Sequence, residues 1–312
     1  MNTATASTPV DRVDATTTVP PFDVFTSIWE SGSKTHILLL HGLGGNSITW
    51  HGVAPHLAQA LDAKVVAVDM PGFGATRPGR RRLTLESFVD IVSEVLLAHA
   101  GPNVRWFVAG NSLGGLLALL LARKFPDRIQ GISLAAGALP ITWGRSFLQL
   151  LPLLGLLPQL APWLGGALIA RYSTRTGLPG VVDDPVEALF ADPGRLAPEL
   201  RDRLIALSGY RLTWAREAAG AYEQILRGVA GALFPAKYGH TLIESIRCPV
   251  QAIYGTKDPL YPVPCWEKLR QVRPDWHYVA LDAVGHVPQL EAPEQVAAEM
   301  ITWLRSARAS NS

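Results

Sequence analysis

The chain has 312 residues, of which 48% are hydrophobic and 17% charged. That composition supports a sizeable core and excludes wholesale disorder. A formal net charge of +2 gives no reason to expect nucleic acid as a partner. The two cysteines, Cys248 and Cys265, define neither a disulfide framework nor a CxxC pair, so free thiols in a reducing, cytoplasmic setting are expected.

Residues 1–20 read as a flexible tail, because Met1–Thr18 is rich in Ala, Thr and Ser and has neither the basic start nor the apolar run of a signal peptide. Ordered structure is expected from about Phe22, with a strand through Val24–Trp29. His36–Leu40 is apolar after its first residue, as in strands buried on both faces of a parallel sheet. It runs into His41-Gly42-Leu43-Gly44-Gly45. A helix is expected over about Ile48–Leu61. The buried strand Lys64–Asp69 then ends at Met70-Pro71-Gly72-Phe73-Gly74, which lacks the third glycine of a phosphate-binding loop. Leu85–His99 reads as a helix capped by Thr84. The strand Trp106–Ala109, the helix Leu113–Lys124 and the strand Gly131–Ala135 follow. This β-α alternation with short connections argues for a parallel sheet covered by helices.

From Leu139 to about Ile246 the pattern changes. No convincing core strand occurs, and Phe147–Ala170 carries no charged residue. Pro152, Pro158 and Pro162 would break a single membrane-spanning helix, so an apolar helical insertion is expected. Leu196–Leu207 and Thr213–Val229 read as amphipathic helices separated near Gly209. Alternation resumes with the strand Pro249–Tyr254, the loop Gly255-Thr256-Lys257-Asp258, the helix Pro264–Val272, the strand His277–Leu281, the turn Gly285-His286 and a last helix over Pro293–Arg305. The expected organisation is a tail (1–20), a core in two parts (21–138 and 247–312) and a helical cap (139–246).

Gly110-x-Ser112-x-Gly114 between a buried strand and an apolar helix has the pattern of a nucleophile elbow. A serine needs a base, and the base an orienting carboxylate. Of the eight histidines, only His286 falls in a loop just after a late strand; His41, at a strand end, reads as a residue shaping its glycine-rich loop. Asp258 follows a strand at the sheet edge where catalytic groups gather, and the order Ser112, Asp258, His286 is that of this triad on α/β sheets. Asp282 is the rival carboxylate. An oxyanion hole needs two backbone N–H groups, which Leu113 and Leu43 are placed to supply.

These motifs together resemble the α/β-hydrolase superfamily, and in particular its capped serine-hydrolase (esterase or lipase-like) branch. The resemblance covers about Phe22 to Arg305. It implies an α/β fold: a mostly parallel, about eight-stranded sheet with helices on both faces and an inserted helical cap. One departure lies before Phe22, where little suits the usual first strand, so a sheet one strand short is expected. The implied activity is hydrolysis of a carboxylic ester with an apolar acyl or aromatic part, through a Ser112–His286–Asp258 acyl-enzyme mechanism. Leu151 and Leu154 in the apolar insertion are expected to line the substrate pocket. Neither a metal nor an organic cofactor is expected, and a transient contact of the cap with a lipid surface is compatible with this reading. Serine at 112 separates the chain from the dehalogenase and epoxide hydrolase branches, which carry aspartate there. The alternative is a carbon–carbon bond hydrolase of ring-cleavage dienoates. Gly110-Asn111-Ser112 resembles those enzymes, but the tryptophan that follows their catalytic histidine is replaced here by Val287-Pro288. A non-catalytic binding protein on the same scaffold would usually lack a triad member, and this chain has all three.

Overall fold

The computed structural model describes residues 10–138, 162–233 and 236–309. Eight strands, β1 (Arg12–Val19), β2 (Phe22–Glu30), β3 (Thr35–Leu40), β4 (Ala63–Val68), β5 (Trp106–Asn111), β6 (Ile129–Ala135), β7 (Val250–Gly255) and β8 (His277–Leu281), form one sheet in the order β1-β2-β4-β3-β5-β6-β7-β8. β3 to β8 pair in parallel, while β1 and β2 run antiparallel at one edge. The helices are α1 (Ala54–Leu61), α2 (Leu85–Ala100), α3 (Leu113–Lys124), α4 (Pro162–Leu189), α5 (Pro198–Leu212), α6 (Ala215–Leu233), α7 (Ala236–Ser245), α8 (Val263–Val272), α9 (Pro288–Glu291) and α10 (Pro293–Ala309).

The continuous apolar runs of the central strands divide between two cores by the two-residue period of a strand. Leu38 and Leu40, Val66 and Val68, and Trp106 and Val108 pack on one face with α2 and α3. Ile37 and Leu39, Val65 and Ala67, and Phe107 and Ala109 pack on the other with α1 and α10. α2 begins where expected, because the Thr84 hydroxyl accepts from the Ser87 amide at 3.1 Å and the Ser87 hydroxyl accepts from the Thr84 amide at 2.8 Å.

Three expectations are corrected. Residues 12–19 are not tail: β1 pairs with β2 along eight residue positions, so the sheet is complete. Its segment is polar because it is an edge strand, with Val13 61% exposed, and only its run of Val and Thr signalled a strand. The helix expected over Ile48–Leu61 is a 3₁₀ turn at Ser47–Trp50 followed by α1. Pro55 offers no amide and confines the α-helix to a start just before it. α5 and α6 part at Thr213-Trp214, not at Gly209.

Between β6 and β7 the described residues are helical and add no strand to the sheet. α4 is interrupted at Gly177, where φ is 72°. Val182, Phe190 and Leu196 form a small separate core with Leu290 of α9, which seats this insertion on the segment that follows His286. No helix among the described residues is long and apolar enough to cross a membrane.

Candidate active site

β5 ends in a turn that only small residues can make. Ser112 stands at φ 49°, ψ −115° at the start of α3, a strained conformation of the kind that clusters at functional sites. A Cβ on Gly110 would lie 2.2 Å from the Gly114 carbonyl, and one on Gly114 2.3 Å from the Leu40 oxygen. Strand, turn and the neighbouring β3 therefore close on one another only with glycine at both positions. Ser112 is held where the first N–H groups of α3 lack intrahelical partners, a setting that favours negative charge, and Leu113 is the first residue of that helix.

β3 lies between β4, reached by the first crossover, and β5, reached by the next. The strand order therefore reverses between β3 and β5, where a crevice opens at the carboxyl ends of parallel strands. The loop after β3 folds into it. A Cβ on Gly42 would stand 3.3 Å from Ser112 Cβ and 2.9 Å from Asn111 Oδ1, so the backbone that leads into Leu43 runs against the serine. The Gly45 amide donates to the Gly42 oxygen at 3.0 Å and closes this turn.

His41 shapes the loop from within. Its Nε2 accepts from the Met70 amide at 3.1 Å, which leaves Nδ1 to donate to the Gly42 oxygen at 2.7 Å. Burial lowers its pKa from 6.5 to about 4. Asp69, beside it, accepts from the amides of Ser47 at 2.6 Å and Ala75 at 2.7 Å, and burial raises its pKa to about 6. The two act in opposite directions. For His41 the unfolded chain takes up the proton first, so its contribution is lost as the pH falls from 6.5 through 4, by on the order of 3 kcal/mol in full. For Asp69 the folded chain takes it up first, so its contribution grows as the pH falls through 6. A His41→Gln variant should therefore lose less thermal stability between pH 7 and pH 4.5 than the wild type does; an equal or larger loss in parallel melts would contradict this account.

The loop after β7 carries Asp258 and the loop after β8 carries His286. His286 Nδ1 lies 2.9 Å from Asp258 Oδ2, with the carboxylate fully buried and the imidazole 4% exposed. Asp258 Oδ1 accepts from the Leu260 and Tyr261 amides at 2.7 and 3.0 Å, which fixes the carboxylate. Tyr261 stacks on the imidazole with ring centres 5.9 Å apart. His286 Nε2 is buried and has no hydrogen-bond partner among the described residues. With Nδ1 donating to the carboxylate, Nε2 is the free lone pair that can accept a proton. Asp282, the rival, faces elsewhere and accepts from the Thr256 hydroxyl at 3.1 Å.

The structure thus brings Asp258 to His286 and the backbone at Gly42, the residue before Leu43, to Ser112. Leu151 and Leu154 lie outside the described residues. Asn111 has a role that sequence reading missed: its Nδ2 donates to the Ala135 oxygen at 2.9 Å and to the His286 oxygen at 3.1 Å, tying the serine strand to the histidine loop. Arg211, from the insertion, reaches the Gly72 oxygen at 3.3 Å; burial lowers its pKa. Neither role had a signal in the sequence, since each depends on segments far apart in the chain. Among the described residues no group of three or more His, Cys, Asp or Glu could hold a metal ion.

Residues 35–293 match the alpha/beta hydrolase fold family, and the chain belongs to that family. Among its relatives is a pimeloyl-[acyl-carrier protein] methyl ester esterase of Aromatoleum aromaticum, 32% identical over 85% of this chain and 96% of its own length. The dihydrolipoyllysine-residue acetyltransferase component of the acetoin cleaving system of Pseudomonas putida is 26% identical over 87% of this chain, which spans 64% of that relative. A putative lipase from Acinetobacter baumannii shares the fold, with a TM-score of 0.72 at 20% identity over 96% of this chain and 93% of the other.

Proposed function

We propose that this protein is a serine hydrolase that cleaves a carboxylic ester through an acyl-enzyme, without a cofactor. The observation that carries the reading is the buried Asp258–His286 pair with its unpartnered Nε2, on the same sheet edge as the strained Ser112 turn. Ser112 Oγ attacks the ester carbonyl as His286 Nε2 takes its proton. The Leu43 and Leu113 amides receive the oxyanion, His286 returns the proton to the departing alcohol, and water attacks the acyl-enzyme by the same route. Asp258 keeps the proton on Nδ1 and steadies the imidazolium.

The relation to a methyl ester esterase supports an ester as the scissile group. Residues 139–246 form the cap in this reading, and its apolar stretch supplies the pocket for the acyl or aromatic part of a small-molecule substrate. A panel of p-nitrophenyl esters of increasing acyl length, combined with fluorophosphonate labelling and mapping of the labelled peptide, tests the proposal. Ester turnover with the label on Ser112 supports it. A label on another serine, or the absence of turnover on every ester, overturns it.

Specificity should then reside in the cap. Leu151→Gln and Leu154→Gln should each raise KM for long acyl esters about tenfold and leave acetate nearly unchanged, because a lost methylene-scale contact is worth about 1–3 kcal/mol of discrimination. A uniform loss across chain lengths together with a lower melting midpoint would assign these leucines to structural packing.

A further inference from the structure

The histidine loop is fastened to the insertion as well as to the sheet. The His286 amide donates to the Leu189 oxygen at 2.7 Å, and a Cβ on Gly285 would lie 2.3 Å from that oxygen and 2.7 Å from the Ala191 nitrogen. Arg195 Nη1 donates to the Ala283 oxygen at 2.8 Å. At the centre of this junction is Glu291, the last residue of α9, whose side chain is fully buried. Its Oε2 accepts from the Gly285 amide at 2.6 Å, while its Oε1 accepts from the amides of Ala191 and Asp192 at 3.0 and 2.9 Å. Arg195 Nη1 stands 3.7 Å from Oε1. One oxygen thus holds the residue before the histidine, and the other holds the exit of α4.

We infer that Glu291 is a positioning residue, which sets the backbone of His286 by clamping Gly285 to the Leu189–Asp192 segment and so couples the seating of the insertion to the geometry of the base. The inference rests on the proposal that His286 is that base. Only a carboxylate fits the junction, because three backbone N–H groups converge on one side chain from two directions and both of its oxygens must accept. An amide of the same shape offers one acceptor and turns an NH₂ group toward amide donors on the other side. Either the insertion or the histidine loop must then let go.

The test is Glu291→Gln in the full-length protein, with turnover expressed per active site titrated by a fluorophosphonate. For a short soluble ester kcat should fall by about 10–100-fold with KM within about twofold, since a misplacement on the scale of 1 Å can cost about a hundredfold. The low-field proton NMR signal of the His286 Nδ1–H bonded to Asp258 should shift or broaden. Val92→Ala is the control: Val92 lies on α2 and is buried in the core, so this variant lowers the melting temperature without touching the junction and should move neither readout. Should Glu291→Gln fail to fold, Arg195→Ala loosens the same junction from its half-exposed side and should shift the same signal, with a kcat loss of about twofold to fivefold. Wild-type kcat and an unmoved signal in the variant that folds, or losses that Val92→Ala reproduces, would overturn the inference. An inactive Ser112→Ala alongside an unaffected Glu291→Gln sinks this inference alone, whereas an active Ser112→Ala sinks the serine mechanism beneath it.

Discussion

Replacing Ser112 by alanine should leave a folded protein whose ester hydrolysis is reduced by about 10⁴–10⁶-fold, because triad members act as a unit and the loss of one removes most of what all three supply. The change deletes one oxygen at a residue whose strained backbone, φ 49°, is imposed by the surrounding glycines and not by the side chain. Alanine meets the same strain as serine there, so melting midpoints of the two proteins should agree within a few degrees. The residual rate would come from the remaining donors and binding contacts, which survive the deletion. Initial rates on a short ester and fluorophosphonate labelling measure the effect directly. Substantial activity in Ser112→Ala, or labelling that persists, would remove Ser112 from the mechanism.

Asp258→Asn should lower kcat by up to about 10⁴-fold while the fold persists. An asparagine can keep Oδ1 on the Leu260 and Tyr261 amides, where the aspartate accepts now, and must then present its NH₂ group to His286 Nδ1. An imidazole that accepts at Nδ1 carries its proton on Nε2, the atom that has to receive the serine proton. The variant is therefore poised in the wrong tautomer with its geometry nearly intact. Asp282→Asn should change kcat by less than about threefold, since Asp282 accepts an exposed hydrogen bond from the Thr256 hydroxyl and exposed polar contacts of this kind contribute little. A reversal of the two effects would transfer the orienting role to Asp282.

The two aspartates show where the sequence was ambiguous. Both follow a strand at the same edge of the sheet, and Asp282 lies only four residues from His286 while Asp258 lies 28 away. Nearness along the chain points one way and distance in space the other. The deciding fact is the side-by-side pairing of β7 with β8, which sets the two loops against each other. β1 was hidden for the opposite reason. An edge strand needs no apolar run, because its outer side meets water, and its partner β2 supplies the hydrogen bonds.

The sequence by itself determined the class of fold and singled out Ser112 and His286 as the candidate nucleophile and base. The uninterrupted apolar strands, the helical spacing between them and the Gly110-x-Ser112-x-Gly114 pattern are legible from neighbours a few residues away. The crowding that demands glycine at 42 and 114 comes instead from segments far apart in the chain. The sheet with helices on both faces that the pattern implied is filled by two cores, since alternation along a strand assigns each side chain to a face. Only the tertiary structure decided which carboxylate meets His286, that Asn111 ties the serine strand to the histidine loop, and that Glu291 joins that loop to the insertion. Those contacts span from 6 to 175 residues of chain. They depend on how separate loops converge at the carboxyl edge of the sheet, and side-chain hydrogen bonds of that reach leave no periodic trace in the sequence for a local pattern to reveal.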